Sequence, residues 1–344
     1  MDILDVFKDI FSMAALTDAI SHADYIPGRI GQMGLFTESG IASRTAIIEE
    51  NHQTLSLVPT APFGGVPTPN TTDARKARPF VVPHIPMMDS INAEEIQDVR
   101  AYAQGMDPSA ARMSVQAMID NKLASMQAKL QATLEYHRVG AIKGVIYDAD
   151  GTTAIYNLFT EFGVTQQEYN MVLGTAGTNV LGKIRAAQRL SLSALGNAGF
   201  TGWRALCGDT FFDQFISHAK VEDKYLSSAD NRLLREPDLA YGAIAFGGVV
   251  WENYRGSVGG VDFIESEKAY LFPTGVNGLF IQKDGPSDYI DRVNQIPSAT
   301  GLPIEVRSEM KPMGKGVDLE AQMNPLCLCT KPRVVIRLDN GAAS

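Results

Sequence analysis

The chain has 344 residues, 45% of them hydrophobic and 20% charged, which supports one large folded domain or two modest ones and excludes a disordered chain. A formal net charge of −9 excludes a protein whose whole surface grips phosphate backbones, although a weakly repelling surface facing DNA would fit. The cysteines are three, Cys207, Cys327 and Cys329, and the five histidines show no paired spacing beside them; reduced thiols and no metal or other cofactor are expected.

In chain order, MDILDVFKDIF comes first, with Asp2, Asp5 and Asp9 where a secretory signal would carry positive charge, so no export is expected. Ile3, Leu4, Phe7, Ile10, Phe11 and Ala14 recur at three- and four-residue intervals and predict an amphipathic helix. Its apolar face needs a cover, which another subunit could supply. Pro27, Gly28, Gly31 and Gly34 then break regular structure before a strand-like run at Leu35, making the first helix a loosely tethered arm.

Thr45 to Glu49 and Thr54 to Pro59 read as short strands of a hairpin around Glu50-Asn51-His52-Gln53. Pro59, Pro62, Pro67, Pro69, Pro79, Pro83 and Pro86 follow, and since proline withholds a ladder donor this stretch is expected outside the middle of any sheet. Such a loop has little apolar surface to offset about 1 to 2 kcal/mol of backbone entropy per residue, so it is expected to order against a partner. Phe63, Phe80, Val81, Val82, Ile85 and Met87 are the side chains available for that. Arg75, Lys76 and Arg78 form a small basic cluster that fits a solvated face or an intersubunit ion pair better than a nucleic-acid site, because stacked aromatics are lacking.

Asp107-Pro108 is a helix start. Val115, Met118, Ile119, Leu123, Met126, Leu130, Leu134 and His137 continue one stripe, predicting a helix from about 108 to 138, a rod of roughly 45 Å. Ile142 to Tyr147 and Ala154 to Leu158 read as strands on either side of Asp148-Ala-Asp-Gly151. Thr178 to Leu195 is a second amphipathic helix ended by Gly196 or Gly199, followed by strand Trp203 to Cys207 and helix Thr210 to His218. Leu239 to Trp251 is the most apolar stretch, but it is broken by three glycines and falls short of the ~20 residues of a spanning helix. Short strands complete the chain at Val249 to Tyr254, Val261 to Phe263, Ala269 to Phe272, Leu279 to Gln282, Leu326 to Thr330 and Val334 to Leu338. Strands and helices do not alternate regularly, so the fold class is α+β and not a doubly wound parallel sheet.

Two motifs suggest chemistry. GVIYDADGTT (Gly144 to Thr153) with Gly208-Asp209-Thr-Phe-Phe-Asp213 resembles a haloacid dehalogenase-type phosphatase, in which Asp148 would attack phosphorus, Asp150 act as acid and base, and Asp209 with Asp213 hold Mg²⁺. Asp-Gly in a hairpin turn explains the same letters without catalysis. Gly177 to Lys183 has phosphate-loop spacing, but Ile184 stands where a hydroxyl should reach Mg²⁺. No catalytic residue is therefore assigned.

Arm, proline-bearing loop, rod helix, hairpin and mixed domain follow one another in an order that resembles the major capsid protein of tailed phages. LTDAISHADYIP (Leu16 to Pro27), GRIGQMGLFTESGIASRTAIIEE, LSLVPTAPFGG (Leu55 to Gly65), ARPFVVPHIPMMDSINAEEIQDVRA (Ala77 to Ala101) and MNPLCLCTKPRVVIRL (Met323 to Leu338) are similar to the lambda-type head protein family over nearly the whole chain. The resemblance implies the HK97-like capsid fold: an N-terminal arm at 1–33, an extended loop at 34–92, a peripheral domain at 93–169 and 313–344 around the spine helix, and an axial domain at 170–312. It implies self-assembly as hexamers and pentamers into an icosahedral head built in the host cytoplasm, enclosing double-stranded DNA met nonspecifically, with a scaffolding protein, a portal and a decoration protein as partners and no membrane. Phe7, Phe11, Phe36, Phe63, Arg75, Lys76, Arg78 and Phe80 are the expected intersubunit contacts. An encapsulin-like compartment on the same fold is the second shell reading, and the phosphatase is the enzyme alternative.

Overall fold

The computed structural model describes residues 28–50, 76–95, 97, 108–227, 242–258, 260–292, 296 and 304–341. A helical turn, α1 (Arg29–Gln32), leads into four strands, β1 (Thr37–Gly40), β2 (Thr45–Glu50), β3 (Lys76–Val81) and β4 (Ile85–Asn92). The spine is α2 (Pro108–Lys143), 36 residues or about 54 Å at ~1.5 Å per residue. Ile119, Leu123, Met126, Leu130 and Leu134 form a single buried stripe along it, with Asp120, Asn121, Ala124, Ser125, Ala128 and Lys129 exposed between them. From Leu134 to Ile142 burial is continuous apart from half-buried Tyr136, so the spine changes from a surface helix into an enclosed one.

That enclosure explains why the helix outruns its expected end near Arg138 and takes in Ile142, which the sequence reading gave to a strand. An apolar run cannot distinguish a buried helix from a buried strand by periodicity. Gly144 ends the helix: its φ is +86°, its N–H bonds to Gly140 O at 2.8 Å, and any Cβ there would collide with the Phe159 ring.

After the spine come the hairpin β5 (Val145–Tyr147) and β6 (Ala154–Asn157), α3 (Leu158–Phe162), β7 (Gln167–Asn170), α4 (Val180–Leu195), β8 (Gly202–Cys207), α5 (Asp209–Ile216) and α6 (Ala219–Ser227). The expected helix Thr210 to His218 is α5, which starts one residue earlier and ends at Ile216, and α6 follows it as a separate helix that was not expected. The remaining strands are β9 (Ile244–Phe246), β10 (Val249–Asn253), β11 (Ser257–Val258), β12 (Val261–Asp262), β13 (Lys268–Thr274), β14 (Phe280–Asp284), β15 (Ile304–Met310), β16 (Gly316–Met323), β17 (Pro325–Cys329) and β18 (Ile336–Asp339).

The largest sheet has six strands in the order β7-β18-β13-β8-β10-β9, mixing parallel and antiparallel pairs. It is buried on both faces, which is why its strands read as nearly continuous apolar runs. Ala269 and Leu271 of β13, Ala205 and Cys207 of β8, and Ile336 and Leu338 of β18 pack into a core with Ile184 of α4 and Phe211 and Phe215 of α5. Their neighbours Tyr270, Phe272 and Leu206 point the other way, into the core of the spine helix. The period of two thus divides one sheet between two cores.

Three further sheets surround the spine: β1-β14-β17, β15-β16-β4 and the two-stranded ribbon β2-β3. β14 pairs with β1 and β17, β15 pairs with β16, and β18 is hydrogen-bonded between β7 and β13 in the six-stranded sheet. The ribbon corrects one expectation. The partner of Thr45–Glu50 is Lys76–Val81, in register from Thr45 opposite Val81 to Glu50 opposite Lys76. Thr54 to Pro59, the partner expected from local turn chemistry, lies outside the described residues. Pro79 is tolerated within the pairing because a two-stranded ribbon is edge on both sides.

Candidate assembly surface

The segment before β1 is tied down by buried charge. Glu252 of β10 is fully buried, and its carboxylate accepts from Arg29 Nε at 2.5 Å, Arg29 Nη2 at 2.9 Å and Arg204 Nη1 at 2.6 Å. Glu135 of the spine, also buried, accepts from the backbone N–H of Ile30 at 2.6 Å and from the Tyr254 hydroxyl at 3.0 Å. Two carboxylates thus fasten α1 to the spine on one side and to the six-stranded sheet on the other. Burial of such groups is tolerable only when they are compensated: Glu252 by two guanidinium groups, Glu135 by backbone N–H groups and the Tyr254 hydroxyl.

A second buried network follows at β1. Arg138 of the spine donates to Glu38 at 2.5 Å and to Gln282 Oε1 at 2.8 and 3.0 Å, and Gln282 in turn donates to Asp284 at 2.9 Å. Burial pushes the Asp284 carboxyl up to about 6, against the lowering effect of Gln282 and Arg138. One helical position earlier, burial pulls the His137 imidazole down to about 4.

The ribbon β2-β3 rests on these elements through one face only. Ala46, Ile48, Phe80 and Val82 point inward and are buried. Phe80 meets the Tyr156 ring edge-on at 5.5 Å and the Phe162 ring at 5.9 Å, Tyr156 donates to Val81 O at 2.7 Å, and Arg78 lies over Phe162 while donating to the carbonyls of Glu161 and Phe162. The opposite face presents Ile47, 68% exposed, directly across from exposed Pro79, and Val81, 54% exposed, across from Thr45, with exposed Ala77 beyond. A half-solvated strand pair normally turns polar side chains outward. This one turns out an apolar stripe.

The expected contact residues separate on this geometry. Phe80, at 1% exposure, is packed into the core of its own chain. Phe36 is half-buried and packs on Phe280 at 5.5 Å beneath the Arg138 guanidinium. Arg78 is spent on its own carbonyls, a role that local sequence gave no means to foresee. Lys76 begins β3, and Phe7, Phe11, Phe63 and Arg75 lie outside the described residues. Val81 is among the side chains expected to meet a partner, whereas Ile47 and Pro79, which flank it on the same face, were not named among them.

The motifs with a chemical look are structural here. Asp150 in the β5-β6 turn accepts from the Thr153 hydroxyl and from the backbone N–H groups of Thr152 and Thr153, which hold its carboxyl well below the usual range; the turn closes with Gly151 N–H on Asp148 O at 2.9 Å. Asp209 pairs with Arg255 at 2.8 Å. Asn179 caps α4 through Gly182 N–H, and Lys183 donates to Asn170 O at 3.1 Å, so the phosphate-loop lookalike is a helix start. Cys207, Cys327 and Cys329 are free and buried, with burial raising the Cys329 thiol to about 12.

Buried polar networks thus hold α1 and β1, while the ribbon, anchored through Phe80 and Arg78, leaves an apolar stripe uncovered on its outer face. The family model for phage major capsid protein E matches residues 12–340. The major capsid protein of Pseudomonas phage KPP10 is 25% identical over 350 residues, covering 95% of this chain and 96% of that protein. The major capsid protein of Salmonella phage Felix O1 is 23% identical over 317 residues, covering 86% and 77%. Among solved structures, the capsid structure of the cyanophage P-SCSP1u aligns with a TM-score of 0.49 at 10% identity, over 93% and 90% of the two chains. The chain belongs to the phage major capsid protein E family. It is a capsid-forming coat protein of a phage virion, in a structural and not an enzymatic family.

Proposed function

We propose that copies of this chain assemble as hexamers and pentamers into the icosahedral head of a tailed phage, built in the host cytoplasm around double-stranded DNA, with the ribbon β2-β3 laid on a neighbouring copy. The observation that supports it is the outward stripe of Ile47, Pro79 and Val81. Covering apolar area is worth about 25 cal/mol per Å², and contacts too weak to hold a dimer become effectively irreversible when repeated around a closed shell. In this reading the six-stranded sheet with α4 and α5 is the axial body, and the spine with the other sheets is the peripheral one. A portal, a scaffolding protein and a decoration protein are the partners such a head would use.

The test is the double variant Ile47→Glu, Val81→Glu. Both side chains point away from the subunit's own core, so the variant should stay folded and soluble while forming no closed shells in negative-stain micrographs. Normal shells would remove the ribbon from the interface.

A further inference from the structure

Helix α4 covers one face of the six-stranded sheet with Val180, Ile184, Ala187 and Ser191 buried. Its opposite face carries Arg185 and Arg189, both exposed, and the sequence from Val180 to Leu195 contains no Asp or Glu. Neither arginine forms an ion pair among the described residues, whereas most other arginines there do. The two are one turn apart, about 6 Å along the axis, and like charges at that spacing weaken an isolated helix by a few tenths of a kcal/mol. The turn Pro332–Val334, which packs beside α4, adds exposed Lys331 and Arg333 and again no acid. Lys331 donates to the Leu195 carbonyl at the end of α4, so the outer face itself carries the two arginines and no carboxylate in a chain with a net charge of −9.

We infer that this face of α4 is the lumenal surface of the shell and contacts the phosphate backbone of packaged duplex DNA. The inference rests on the shell reading above. A second copy is the less fitting occupant, because the chain's surface is acidic only on average, while DNA offers one charge per ~1.7 Å of axis and needs no shaped counterpart. Two arginines about 6 Å apart span roughly two base steps of one strand, each ~3.4 Å. Contacts this few would hold duplex of any sequence to one subunit measurably at the low end of a salt series, and would add up over the inner wall.

The test measures binding of a fluorescent 20-base-pair duplex of arbitrary sequence to the full-length soluble chain across a salt series, for the parent, for R185E/R189E and for the charge-preserving R185K/R189K. Each lost phosphate contact lowers the slope of log affinity against log salt by about 0.9, so R185E/R189E should lose about 2 from the slope and R185K/R189K almost nothing. Electron microscopy of the same three proteins should show closed shells in all. An unchanged slope, no duplex binding by the parent, or shells lost in R185E/R189E but kept in R185K/R189K would each overturn the assignment, the last by making this face a contact between copies. Failure of the parent itself to form shells would instead strike the shell reading.

Discussion

Replacing Glu252 by glutamine keeps the volume of the side chain and removes its charge, leaving the Arg29 and Arg204 guanidinium groups facing each other across a neutral amide. Breaking one partner out of a buried ion pair costs about 3 to 5 kcal/mol, and because Arg29 and Arg204 keep 9% and 20% of their side-chain surface in water the lower end applies, about 3 kcal/mol. Arg29→Ala should cost less, about 1.5 to 2 kcal/mol, since Glu252 retains Arg204. The protein has two tryptophans, Trp203 and Trp251, and both lie in the same six-stranded sheet as Glu252, so their fluorescence in a urea titration of unassembled subunit reads this network directly. A Glu252→Gln variant within about 0.5 kcal/mol of the parent, at equal m-value, would refute the claim that this carboxylate fastens α1 to the sheet.

Two buried groups make opposing contributions to acid stability. His137 sits at about 4 in the fold, so between pH 6.5 and 4 the unfolded chain takes its proton and the fold does not, and stability falls by about 3 kcal/mol. Asp284 sits at about 6, so over nearly the same window the fold takes its proton first and stability rises by about 3 kcal/mol. Urea midpoints at pH 7 and pH 4.5 should therefore show His137→Gln gaining stability on acidification and Asp284→Asn losing it, each relative to the parent; parallel behaviour would contradict the assignment. Phe80→Ala should cost about 3 to 5 kcal/mol, because the cavity opens beneath Tyr156 and Phe162, and a loss under 1 kcal/mol by the same titration would mean the ribbon base is not anchored there. Thiol-specific labelling of native subunit should be slow at all three buried cysteines and complete only on unfolding.

The elements legible in the sequence were those governed by local chemistry. The spine begins at the proline its start signal marked, and the stripe from Ile119 to Leu134 is buried as its spacing required. What was not legible depended on partners far along the chain. Ala-Ile-Lys-Gly-Val-Ile-Tyr divides into helix and strand at Gly144 because the Phe159 ring sits against that glycine. The ribbon pairs Thr45 with Val81 across 36 positions, a choice that no turn residue at Asn51 could announce. β15 and β16 were not among the expected strands, although Ile304 and Val306, and Val317, Leu319, Ala321 and Met323, alternate inward with Glu305, Arg307, Asp318 and Glu320 between them. Glu252 was the clearest overlooked signal, since a lone acid inside Val-Val-Trp-Glu-Asn must find cations if the strand is buried.

Cryo-electron microscopy of particles assembled from the purified full-length chain tests the central claim most directly. Closed shells are expected, with Ile47, Pro79 and Val81 of each ribbon seated against a neighbouring copy. Particles in which that stripe faces solvent, or a chain that remains monomeric at high concentration, would contradict it.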